Sequence, residues 1–123
     1  MDDLSGKEQI QLFSTLDIAI HPHGAGSTNM IYMLPNSCLF EIFPPHFYYD
    51  CYQKMAIGLD VIYKYIVASG GYPDFCKNHH LTHKCPKTNL RNRIFSVSID
   101  AVVGVIEEVI PLVRKKKYPS IWG

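Results

Sequence analysis

The stretch His21-Pro22-His23-Gly24-Ala25-Gly26-Ser27-Thr28-Asn29 follows the short apolar run Asp17 to His21. Two glycines in a turn allow positive φ and let backbone approach a ligand closely. The amides from Ser27 to Asn29 then open a helix, where they have no intrahelical acceptors. Free N–H groups and a positive dipole end favour an anion, and a phosphate or pyrophosphate is the natural occupant. The competing reading is a tight turn in which Thr28 or Asn29 merely caps a helix. A short glycine turn does not separate the two. His23 has two available roles as well. It donates to a phosphate oxygen, as neutral or charged imidazole, or it orients the turn by bonding a backbone carbonyl.

The second chemical feature is a lone acid, Glu41, inside Cys38-Leu39-Phe40-Glu41-Ile42-Phe43. Buried strands of parallel sheets are near-continuous apolar runs. An ionised carboxylate there is costly unless it is paired or hydrogen-bonded. Near the carboxyl end of a strand it can instead reach into the ligand crevice. An acid at that edge commonly accepts hydrogen bonds from ribose hydroxyls. The alternative is that Glu41 pairs with a neighbouring cation or backbone amide.

These residues need elements to hold them. Ser5 and Glu8 fit a capping box, and Ile10, Leu12, Phe13 and Leu16 form the apolar face of a short helix. Asp17 to His21 is a β-branched strand, His23 to Gly26 a turn, and Thr28 to Leu34 a brief helix closed by Pro35-Asn36. Cys38 to Phe43 is the next strand, stopped by Pro44-Pro45. Tyr48 to Ile57 follows as a helix ended by Gly58, then Val61 to Val67 as a strand. Residues 69 to 93 form a long loop. Asp100 caps a last helix whose Val102, Val103, Ile106, Val109 and Ile110 recur at helical spacing, and Pro111 ends or kinks it. Strands alternating with helices imply an α/β fold with a Rossmann-like parallel sheet. Ligands of such sheets bind at the carboxyl edge of the strands. The glycine turn and Glu41 lie on successive strands at that edge, which favours one shared nucleotide.

Length and composition exclude several classes. The 123 residues make one domain at most, and 47% apolar content argues against disorder. A formal net charge of +1 gives no general attraction to nucleic acid or to an acidic membrane. The basic run Arg114 to Lys117 suits a helix C-terminus. No stretch reaches the roughly 18 uninterrupted apolar residues of a membrane span. The polar, acidic start is neither a signal nor a transit peptide.

His23-Gly24-Ala25-Gly26, Thr28-Asn29-Met30, Leu34-Pro35, Ser37 and Phe40-Glu41-Ile42-Phe43-Pro44 resemble the C-terminal signature of glycosyltransferase family 61. Glu8-Gln9-Ile10 is similar to the helix that precedes that signature, and Phe95 to Ile110 resembles the closing strand-helix region more weakly. Ser27 stands where the family usually has leucine. A hydroxyl there either bonds the phosphate or weakens packing under the turn.

The resemblance implies a two-domain GT-B architecture, with this chain as the C-terminal half that holds the nucleotide. It implies inverting transfer from a UDP-sugar, such as UDP-xylose or UDP-GlcNAc, to a glycan or protein hydroxyl in the Golgi or endoplasmic reticulum. Residues 1–123 would then be a nucleotide-sugar-binding domain, lacking the acceptor domain and the membrane anchor and inactive by itself. The expected partners are the donor and a glycan or glycoprotein acceptor, without nucleic acid. Membrane attachment would come only through the missing anchor. The diphosphate would sit over His23, Gly24, Ala25, Gly26, Ser27, Thr28 and Asn29, with Glu41 on the ribose. No Asp-x-Asp metal motif is present, so leaving-group help from amides and histidine fits a metal-independent enzyme without a cofactor. The general base is not assignable and is to be sought in the missing half as well; His23 is the catalytic candidate within this chain. The alternative function is a non-catalytic or degenerate Rossmann-like nucleotide-binding module.

Cys76 and Cys85 bracket three histidines, His79, His80 and His83, which invites a zinc hypothesis. The spacing matches no standard finger. In a secretory lumen a Cys76–Cys85 disulfide is the more economical reading, and free thiols are the third option in a reducing compartment. Cys38 is expected as a small core residue, with Cys51 similar or paired to a missing segment. The aromatic patch His46 to Tyr49, with Tyr52, mostly packs a strand-helix junction, leaving one ring for a uracil or sugar.

Overall fold

A computed structural model describes residues 4–70 and 95–122. The long loop expected over 69–93 lies, beyond Gly70, outside the described residues, as do Cys76, Cys85 and the histidines between them. The elements run α1 (Gly6–Thr15), β1 (Ile18–Pro22), a 3₁₀ segment (Ala25–Tyr32), β2 (Cys38–Phe43), α2 (Cys51–Gly58), β3 (Ile62–Val67), α3 (Ile99–Lys117) and α4 (Pro119–Trp122). The three strands form one parallel sheet in the order β1-β2-β3. This mixed α/β arrangement is compatible with the expected Rossmann-like sheet.

Strand alternation divides the structure into two layers. The odd-numbered residues of β2 and their neighbours face α1, the 3₁₀ segment and α2. There Phe13, Ala19, Met30, Met33, Leu39, Ala56 and Val61 form one apolar cluster, with Tyr52 and Tyr63 packed against it. The even-numbered face carries Cys38, which packs with Val109 and Val113 of α3 and with Ile18 and Ile62 of the flanking strands. β2 is central, so Cys38, Leu39, Phe40 and Phe43 are wholly buried. Burying each of the larger side chains stabilises the fold by about 1.5–3 kcal/mol relative to leaving it exposed.

Helix starts follow their capping chemistry. Ser5 Oγ accepts from the Glu8 amide at 3.2 Å and donates to the Glu8 carboxylate at 2.9 Å, the expected pairing of those two residues. The cap of α3 is Ser98, whose hydroxyl accepts from the Ala101 amide at 3.3 Å. Asp100, expected as the cap, sits in the first turn, where its charge still complements the dipole. The helix also runs through Pro111 to Lys117. Val109 and Val113 bracket the proline and are both buried against the sheet. Tertiary packing therefore holds the helix where local propensity predicted a break.

Two further expectations shift. The brief helix predicted over 28–34 is a 3₁₀ segment that begins three residues earlier, at Ala25. None of the described glycines lies in the left-handed region, and Gly24 is fully extended at φ 168° and ψ 175°. The described left-handed positions are Asn36, His46 and Asp60.

Candidate functional site: a histidine turn at the carboxyl edge of the sheet

β1 ends at Pro22, paired with Ile42, and the His23 amide extends the ladder by bonding the Ile42 carbonyl at 2.9 Å. This carries His23 just past the carboxyl end of β1, on the face shared by Glu41. The Glu41 carboxylate is fully buried. One oxygen accepts from His23 Nδ1 and the other from the Tyr63 hydroxyl. Among the described residues no buried side-chain nitrogen or oxygen lacks a partner, so the acid in this apolar run is satisfied from both sides.

The His23 ring is clamped by aromatic neighbours. It stacks on Phe43 with centroids 4.8 Å apart and meets Phe47 at 5.4 Å, Tyr52 at 5.5 Å and the edge of Tyr49 at 6.4 Å. With Nδ1 held by Glu41, Nε2 is the nitrogen left for other partners. Burial, reinforced by the hydrogen bond to Glu41, holds the Tyr63 phenol far above its ordinary pKa. It therefore stays protonated and keeps donating.

A pocket of about 400 Å³ opens beside this cluster, lined by His23, Gly24, Ala25, Tyr49, Cys51 and Tyr52. Gly24 and Ala25 bring the head of the 3₁₀ segment to its wall. The Ser27 amide is taken by the Gly24 carbonyl at 3.0 Å, while Ala25 and Gly26 precede it and have no acceptor within the helix. The sequence placed the amides of Ser27 to Asn29 at this position. The earlier helix start moves the donors back to Ala25 and Gly26.

The remaining residues of the turn divide by direction. Ser27 is buried, and its hydroxyl lies 3.3 Å from His21 Nδ1. Gly26 sits against the same ring: a Cβ there would stand 2.8 Å from His21 Nε2. The second glycine thus accommodates the protein's own histidine. Thr28 Oγ1 lies 3.5 Å from the Tyr52 hydroxyl. The Asn29 side chain donates through Nδ2 to Gln9 Oε1 at 2.8 Å and ties the segment to α1. Of the seven turn residues named from sequence, three line the pocket, and Glu41 supports it through His23.

Residues 1–40 match the family model for Glycosyltransferase 61. That segment contains α1, β1, the whole 3₁₀ segment and the start of β2, and so the turn that forms the pocket floor. The match bears out the resemblance drawn from His23-Gly24-Ala25-Gly26 and Thr28-Asn29, and it supports a glycosyltransferase. It ends one residue before Glu41. No curated protein matches the chain.

Tyr63, Tyr49 and Cys51 join the turn only through the fold. Tyr63 could not be singled out from the β-branched and aromatic run around it. Its partner across the ladder is Leu39, and it reaches Glu41 diagonally along the same face. Cys51 begins α2 and lines the pocket, and burial raises its thiol pKa. Cys38 is the expected core residue, its thiol pushed up to about 12 by burial. Both described cysteines are free.

Proposed function

We propose that this chain is the donor-binding half of a glycosyltransferase and that the pocket beside His23 receives the diphosphate of a UDP-sugar. One observation carries the reading. His23, the head of the 3₁₀ segment and two tyrosines converge on a single pocket at the carboxyl edge of a parallel sheet, within and next to the segment matching Glycosyltransferase 61. In this reading the amide of Ala25 and His23 Nε2 contact phosphate oxygens. They stabilise charge as UDP departs. Tyr49 and Tyr52 flank the uracil or the sugar. Ser27 and Asn29 shape the turn from behind.

Glu41 acts from beneath the site. A direct ribose contact requires the residues around Glu41 to move, because the acid has no exposed surface. Inverting transfer to a glycan or protein hydroxyl, a Golgi or endoplasmic reticulum setting and an acceptor domain elsewhere complete the proposal. No metal is required at the diphosphate, so a chelator is expected to leave UDP affinity unchanged. Among the described residues no helix is long and apolar enough to cross a membrane.

The enclosure of Glu41 favours one second reading, a nucleotide-binding module without transfer chemistry. Calorimetric titration with UDP tests the site common to both. Binding that weakens in His23→Ala and in Ala25→Pro, which removes an amide donor, supports it. A folded chain that shows no heat with millimolar UDP overturns it. Transfer to an acceptor by a longer polypeptide carrying the same turn then separates the enzyme from the module.

A further inference from the structure

The hydrogen-bond chain Tyr63–Glu41–His23, centred on the buried Glu41, links all three strands. Tyr63 comes from β3, Glu41 from β2, and His23 from the extension of β1. Only His23 borders the pocket. The acid has no exposure and therefore depends on the protein for both its donors. A carboxylate with one fixed donor and one free oxygen can rotate or shift to seek a second partner. A second donor on the opposite oxygen removes that freedom. Oriented carboxylates behind histidines set both the tautomer and the direction of the ring.

We propose that Tyr63 is a positioning residue for the donor site: its hydroxyl fixes the Glu41 carboxylate, which in turn holds Nδ1 of His23 protonated and presents Nε2 to the pocket. This rests on the reading of the pocket as a diphosphate site, but the effect on the histidine is independent of any ligand. Tyr63 touches neither phosphate nor sugar. Its influence passes through two hydrogen bonds, and the Phe43 stack keeps the ring in plane while they act. Tyr65 is the natural control. It lies next along the same strand face, 44% exposed, with its ring 6.1 Å from that of Tyr63 and no hydrogen bond to Glu41.

The experiment compares Tyr63→Phe and Tyr65→Phe in the whole chain, each checked for folding by circular dichroism. The imidazole nitrogens are followed by ¹⁵N correlation spectra without ligand, with His23 assigned by its absence in His23→Ala, and UDP affinity is measured by calorimetry. Tyr63→Phe is expected to move the His23 Nδ1 resonance and to weaken UDP about tenfold. Tyr65→Phe should leave both unchanged. Should Tyr63→Phe fail to fold, Glu41→Gln provides the same reading: one accepting oxygen becomes an NH2 donor, Tyr63 and His23 can no longer both donate to the side chain, and the His23 nitrogens are displaced. A merely structural tyrosine predicts a lower melting temperature with His23 resonances and UDP affinity at wild-type values, and that outcome overturns the proposal. A displaced His23 signal in a chain that never binds UDP sustains the positioning role while removing the diphosphate reading.

Discussion

Gly26 and His21 occupy adjoining space: the imidazole of one fills the volume that a side chain on the other would need. A Cβ at position 26 would lie 2.8 Å from Nε2 and 2.9 Å from Cε1 of His21. The glycine therefore serves contact across the turn, and its backbone needs no left-handed conformation.

Gly26→Ala should displace the His21 ring and loosen its contact with the buried Ser27 hydroxyl. The ring that must move is the end of a partly exposed side chain, so the cost falls at the lower end of the range for core overpacking, about 1–3 kcal/mol. The companion change His21→Ala vacates the space, so the double variant should be more stable than the sum of the two single effects. Thermal melts of the four proteins measure that coupling. Strict additivity would show that the ring does not limit position 26.

Lys117 anchors the end of α3 to the start of the sheet. Its ammonium, on a side chain only 9% exposed, reaches Ser37 Oγ at 2.7 Å, Asp17 Oδ1 at 2.8 Å and the Leu16 carbonyl at 3.4 Å. Lys117→Met keeps most of the apolar stem but leaves the buried Ser37 hydroxyl without this donor. A loss of about 1–3 kcal/mol is expected, read as a lower urea midpoint with unchanged slope. An unaltered midpoint would mean that the contact is only a surface ion pair.

Asp17 accepts from both Lys117 and the Tyr118 hydroxyl, the latter at 2.6 Å, and these partners hold its carboxyl below the ordinary 3.8. With a depressed folded pKa, the unfolded chain takes up the proton first as pH falls. The stabilisation is complete above the ordinary carboxylate value and disappears as pH drops through the lowered one. Melting temperature should therefore fall more steeply below about pH 4 in wild type than in Asp17→Asn. Parallel acid profiles would remove Asp17 from the account.

Cys51 lines the pocket, yet burial keeps its thiol above the ordinary value. Alkylation at neutral pH should be slow, because the thiolate is the reacting form. Saturating UDP should slow it further by covering the pocket. Cys38, fully buried and pushed up to about 12, should react only on unfolding. Peptide mapping by mass spectrometry after timed iodoacetamide treatment distinguishes the sites. Equal labelling of Cys51 with and without UDP would place the nucleotide elsewhere.

The strands were legible because their composition and punctuation agreed: β-branched and aromatic runs end at Pro22, at Pro44-Pro45 and before Ser69. β2 was read at Cys38 to Phe43, and the structure has the same bounds. The turn was legible as a place and less so as a mechanism. Spacing marked Gly26 as special, but only tertiary structure shows that His21 is the neighbour it accommodates. Glu41 was conspicuous as an acid in an apolar run. Its donors were not, because His23 is 18 positions upstream and Tyr63 is 22 downstream. Pro111 misled for the same reason: local rules end a helix there, and long-range packing carries it on.

The alternation along β2 leaves the turn before it very little freedom in length. Pro35-Asn36-Ser37 leads directly into Cys38, and each residue after it is committed to one side of the sheet. Removing or adding a single residue there would invert the strand, turning Phe40 or Ile42 towards His23 and driving the carboxylate into the valines of the long C-terminal helix. Indels in this turn should therefore abolish folding where substitutions are tolerated, which makes the spacing between Pro35 and Glu41 a stricter signature of this architecture than the identity of the intervening residues.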